Sequence, residues 1–198
     1  MSELTEILSK NYVGVSLCSL HHPCNPNPNC NVVNSFPVFD FDQITKDYRK
    51  RKGLPSCASV DGLTESRAII YFVEMKGWKE YLLRTPRISE SKIQKQVNKY
   101  DLAHKLADSV DTCVGLLCEV DAEKEDVFLS LPKCYVIVTD ISPQQNPLDS
   151  IANNLNLLAQ ASSDWETVCW NQLKEKAHQV KGIKTLFVSC REFDSLFM

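Results

Sequence analysis

Asp61, Glu74 and Lys76 are the residues whose types and spacing could do chemistry in this 198-residue chain. Asp61 stands at the end of a short strand expected over residues 57–61. Glu74-Met75-Lys76 falls inside a second, very apolar strand expected over residues 67–76. Side chains alternate along a strand, so Glu74 and Lys76 share a face, roughly 7 Å apart along the backbone. Two charges on an apolar strand are costly unless they are paired or bind a cation. A hairpin turning near Leu63–Ser66 would bring Asp61 beside them. Two carboxylates and one lysine are enough for metal-assisted hydrolysis of a phosphodiester. A structural salt bridge in an unrelated α/β domain is the other reading of the same three residues.

The elements that must position these groups follow from pattern. Residues 2–10 read as a short helix with Leu4, Ile7 and Leu8 on one face, and Tyr12–Leu20 alternates as a strand. Asp40 or Asp42 can cap a helix running to Lys52, closed by Gly53. Ser89 opens a long helix over 90–109, with Ile93, Val97, Leu102 and Leu106 at helical spacing. Residues 111–120 are apolar and read either as a strand or as the end of that packing. Strands are expected at 133–141 and 183–189, with a helix between them that begins after Pro147. The order implies a single α/β domain over 1–198: a mixed central sheet flanked by helices on both faces. An N-terminal Cys/His/Asn/Pro loop lies at 18–31 and a helix–strand extension at 149–198.

The net charge of −3 is unevenly spread. Residues 46–100 carry +7 and residues 101–198 carry −7. The basic third contains the Asp/Glu/Lys set, and a basic surface beside an acidic pocket suits a polyanion. A solvated helix face is the bland alternative for the Arg49–Lys52 run.

The order Asp61, Glu74-x-Lys76, with a helix before it and a helix and strand after it, resembles the PD-(D/E)xK nuclease superfamily over about residues 40–141. Val60 stands where the motif's name has proline. Gln96-Val97-Asn98-Lys99-Tyr100 is similar to the Q-h-x-x-Y motif of the RecB-like branch. The resemblance implies a restriction-endonuclease-like fold and a Mg²⁺-dependent nuclease, with Mn²⁺ as a substitute. Asp61 and Glu74 would be metal ligands with the backbone carbonyl of Met75, and Lys76 would be the catalytic lysine. Gln96 and Tyr100 would contact the nucleic acid. Of the first-helix acids Asp40, Asp42 and Asp47, Asp47 is the expected additional ligand, one turn from Ile44. Lys79, Arg84 and Arg87 are expected phosphate contacts. Trp78 is either a core aromatic or a base-stacking one. DNA is the expected substrate over RNA, with a homodimer or a larger complex as the candidate assemblies. An inactive nuclease-fold protein serving as a nucleic-acid-binding or adaptor subunit is the alternative.

Cys18, His21, Cys24 and Cys30 cluster on the Asn/Pro loop, where four such side chains could hold a structural Zn²⁺. Their spacing matches no zinc signature, so incidental thiols on a surface loop are the expectation. Most of the nine cysteines are read as reduced, buried small hydrophobes, not a disulfide framework. No apolar run is long enough for a membrane span and no signal-peptide pattern opens the chain, so a cytoplasmic protein is expected.

Overall fold

Phe72 and Tyr135 sit in register on two adjacent parallel strands at the centre of a six-stranded mixed sheet. The computed structural model describes residues 2–20, 32–85, 87–141 and 165–198. Six strands lie side by side in chain order: β1 (Val15–Ser16), β2 (Pro37–Asp40), β3 (Gly62–Ser66), β4 (Ile69–Lys76), β5 (Lys133–Thr139) and β6 (Lys184–Ser189). The first four pair antiparallel, and β5 and β6 add on parallel. β4 and β5 are buried on both faces, which accounts for their unbroken apolar runs. The α/β class expected from the sequence is therefore present.

Seven helices are described: α1 (Glu3–Asn11), α2 (Phe41–Lys52), α3 (Lys79–Arg84), α4 (Glu90–Asn98), α5 (Leu102–Cys118), α6 (Lys124–Ser130) and α7 (Trp165–His178). One sheet face, with Leu63, Ile70, Phe72, Tyr135 and Ile137, packs against α1, α2, α5 and α6. The other face, with Tyr71, Val73, Met75, Val136 and Val138, is covered by Leu17, Leu20 and Phe193. Among the described residues, the cover on that second face is two short 3-10 turns and the C-terminal segment, where helices were expected. A third cluster joins Trp78 to Ile93 and Val97 of α4 and to Cys169 and Leu173 of α7. Trp78 is fully buried, which settles it as a core aromatic. α5 lies so close to α2 that a Cβ at Gly115 would collide with the ring of Tyr48.

Several boundaries differ from the sequence reading. The hairpin turns at Arg67–Ala68, not at 63–66, and Asp61 precedes β3 instead of ending a strand. Leu63 is fully buried and Thr64 donates to the carbonyl of Pro37, so the polar-looking Thr64–Ser66 stretch belongs to a ladder. The helix expected over 90–109 breaks at Lys99–Asp101, where Asp101 accepts from the backbone N–H of His104 and caps a new helix. Residues 111–118 continue that helix. Only Val15–Ser16 of the strand expected over 12–20 pairs, and β2 and α6 had no clear signal. The start of the helix expected after Pro147 lies outside the described residues. Cys113, Cys134 and Cys169 are buried thiols as expected, whereas Cys118 is exposed at the end of α5. No described helix is long and apolar enough to cross a membrane.

Candidate active site

The hairpin register brings the first carboxylate to the second. Gly62 pairs with Val73, so one residue further out Asp61 faces Glu74. Asp61 Oδ2 accepts from the backbone N–H of Met75 at 2.6 Å. The carbonyl of Asp61 accepts from the N–H of Phe41 at 3.0 Å, fixing the start of α2 to the same spot. Residues 58–60 are sewn to α5 by side chains: Ala58 N–H donates to Asp108 at 3.1 Å and Val60 N–H to Ser109 Oγ at 2.9 Å.

Glu74 is the centre. Its side chain is 0% exposed, on the sheet face that packs under α5. Oε1 accepts from Lys76 Nζ, two residues on, and from Lys105 Nζ of α5 at 2.7 Å. Oε2 is buried with no hydrogen-bond partner among the described residues. Burial, and then repulsion from Glu74, pushes the Asp61 carboxyl up to about 6, against the pull of Lys105 and Lys76. For Lys105, burial disfavours the ammonium, but the charges of Glu74 and Asp61 outweigh it and its pKa lies above the ordinary value. The phenol of Tyr135, beneath the pair, is pushed up by burial and by both carboxylates.

Tyr100 closes one side. It lies just past the end of α4, not within it as expected, yet its ring sits 4.6 Å below Lys76 Nζ. Burial pushes its phenol up to about 12, opposed by a hydrogen bond with Gln96. The Q-h-x-x-Y residues and the Glu-x-Lys residues therefore meet.

Other expected members do not join the cluster. Asp47 faces α1, bonded to Gln43 at 2.9 Å and Tyr12 at 3.4 Å. Asp40 is the N-cap of α2, accepting from Gln43 N–H. Asp42 is the first-helix acid nearest the site: it is paired with Lys46 at 2.5 Å on its own helix, accepts from Ser59 Oγ at 2.9 Å, and feels the charge of Lys105 as well. Five residues separate Asp42 from Asp47, which at about 3.6 residues per turn puts them on different sides of α2. Arg84 is an exposed residue of α3 paired with Glu80, and Arg87 is exposed in the link to α4. Lys79 donates its backbone N–H to Asp140 at the end of β5. None of the three has a described contact with Glu74 or Asp61. Of the suggested zinc set only Cys18 is described, with Sγ 3.3 Å from Asn34 Oδ1, while His21, Cys24 and Cys30 lie outside the described residues.

Lys105 went unread in the sequence, although a signal existed. It is three residues after Leu102 and four before Ser109, both buried, so a charge sits on the inward stripe of α5.

Asp61 and Glu74 are the side chains that could hold a hard cation. The partnerless Oε2 and the mutual repulsion of the carboxylates fit one. No three His, Cys, Asp or Glu side chains among the described residues group closely enough to do so alone. A cation here would rest on two carboxylates, a backbone carbonyl and water, which suits Mg²⁺. Comparison with family models, with curated proteins and with solved structures finds no match to this chain.

Proposed function

We propose that this chain is a Mg²⁺-dependent nuclease that hydrolyses phosphodiester bonds, with DNA as the favoured substrate. The observation that carries the reading is the meeting of two separate sequence motifs around one buried carboxylate: Lys76 bridges Glu74 and the Tyr100 ring. A bound Mg²⁺ would lower the pKa of a water and neutralise charge developing on the phosphate. Asp61, Glu74 and the carbonyl of Met75 would hold it. Lys76, pinned between Glu74 and Tyr100, would orient the attacking water. Gln96 and Tyr100 would guide the strand past it. Basic side chains at the edge, Lys79, Arg84 and Arg87, would meet phosphates further along.

Cleavage of plasmid and single-stranded DNA in Mg²⁺, Mn²⁺ or EDTA tests the proposal. Metal-dependent cutting that disappears in Lys76→Ala is the expected result. Cutting that survives in Lys76→Ala would remove the site assignment.

One observation favours a second reading, a non-catalytic nucleic-acid-binding or adaptor subunit. Lys76 and Lys105 together balance Asp61 and Glu74, so the cluster is neutral without a cation. Binding of DNA without cutting under any of the metal conditions would support it.

A further inference from the structure

The Lys105 ammonium is paired with Glu74 and lies within electrostatic reach of two further carboxylates. Nζ donates to Glu74 Oε1 at 2.7 Å, and its charge is felt by both Asp61 and Asp42. The two ammoniums on Glu74 are held differently. Lys76 is 12% exposed and lies over the Tyr100 ring. Lys105 is 29% exposed, so it has water on one side. A lysine is a compact charge on a flexible four-carbon stem, able to trade one anion for another without losing its charge. Glu74 has no such freedom, being wholly buried on a central strand.

A divalent cation between Asp61 and Glu74 would therefore meet Lys105 already on the shared carboxylate. Like charges repel strongly in a partly buried site. The cheapest relief is for Lys105 to move outward, toward a phosphate oxygen.

We propose that Lys105 couples substrate to cation: it competes with the cation for Glu74, and a nucleic-acid phosphate draws it away. The phosphodiester and the cation then bind with positive cooperativity. This rests on the reading of Asp61 and Glu74 as cation ligands. Linkage makes the effect reciprocal: whatever tightens the cation through Lys105 tightens the phosphodiester equally. Lys105 thus acts as a positioning residue, and no bond is made or broken at it.

The test is a titration of Mn²⁺, free ion read by electron paramagnetic resonance, against wild type, Lys105→Met and Lys105→Arg. Each is measured with and without a short phosphorothioate oligothymidylate, corrected for Mn²⁺ held by the oligonucleotide alone. In wild type the oligonucleotide should tighten Mn²⁺ binding roughly tenfold. Lys105→Met should bind Mn²⁺ more tightly without oligonucleotide and lose the coupling, and Lys105→Arg should keep it. The wild-type arm needs no substitution, so a variant that fails to fold leaves the test standing. Wild-type Mn²⁺ binding indifferent to the oligonucleotide, or coupling that survives in Lys105→Met, overturns the proposal and leaves the cation site intact. Absence of Mn²⁺ binding in all three proteins removes the cation reading, and this one with it.

Discussion

Asp61 Oδ2 and the backbone N–H of Met75 are joined by a 2.6 Å hydrogen bond, so the residue that leads into the hairpin is tied to the residue between Glu74 and Lys76. That bond only partly offsets burial and the charge of Glu74, which leave the Asp61 carboxyl at about 6 against an ordinary 3.8. The folded protein then keeps a proton that the unfolded chain has released. Stability falls as pH rises from about 4 to about 6, by on the order of 3 kcal/mol from this group. Urea unfolding in EDTA at several pH values measures it. Asp61→Asn keeps an acceptor for the Met75 N–H and should flatten that part of the curve. A slope that survives in Asp61→Asn would assign it to other groups.

Glu74 and Lys76 should separate folding from chemistry. Glu74→Gln leaves two ammoniums without the carboxylate they share, and breaking a buried pair in this way costs about 3 kcal/mol. Lys76→Met leaves Glu74 still bonded to Lys105 and forfeits the contact with Tyr100, a loss of about 1 kcal/mol. Denaturant unfolding should rank the two in that order, and on the proposed function metal-dependent DNA cleavage should vanish in both.

What the sequence made legible was decided by local character. The buried strands β4 and β5 declared themselves through apolar runs, and Gly53 marked the end of α2, whose start lay between Asp40 and Asp42 until the structure placed the cap at Asp40. The hairpin register did not. Arg67–Ala68 carries none of the Asn or Gly chemistry that signals a two-residue turn, while Thr64–Ser66 has turn-like composition and pairs instead. Only the turn at Arg67–Ala68 sets Asp61 opposite Glu74; a turn at 63–66 would have set it opposite a residue near Ala68. Lys105 was missed, and Asp42 was passed over for Asp47, for a different reason. Their roles depend on which side of α5 and α2 meets the sheet, and that is fixed by contacts between distant segments such as Val60 with Ser109.

The turn itself is strained. Arg67 and Ala68 adopt φ of 51° and 58°, a left-handed conformation that costs a residue with a Cβ about 1–2 kcal/mol. Ala68 is exposed, so glycine would lose little packing there. Ala68→Gly should therefore stabilise the protein by about 0.5–1 kcal/mol, after the added freedom of the unfolded chain is counted. Thermal unfolding checks the sign. Gly53, at φ 65° after α2, is the natural control: Gly53→Ala should destabilise by a similar amount.

Tyr100 offers two separable contributions. Its ring lies under Lys76 Nζ and edge-on to Trp78, and its hydroxyl bonds with Gln96. Tyr100→Phe keeps the ring and loses only the hydroxyl, so it should fold with near wild-type stability. Tyr100→Leu removes the π face as well and should cost a further 1–2 kcal/mol or so. If Gln96 and Tyr100 guide a nucleic-acid strand, Tyr100→Phe should nonetheless weaken binding of single-stranded DNA severalfold, read by fluorescence anisotropy in Ca²⁺ at fixed salt. Unchanged affinity would confine the Gln96–Tyr100 pair to steadying Lys76, because the hydroxyl would then serve the packing of α4 against Trp78 and α7 and nothing beyond it.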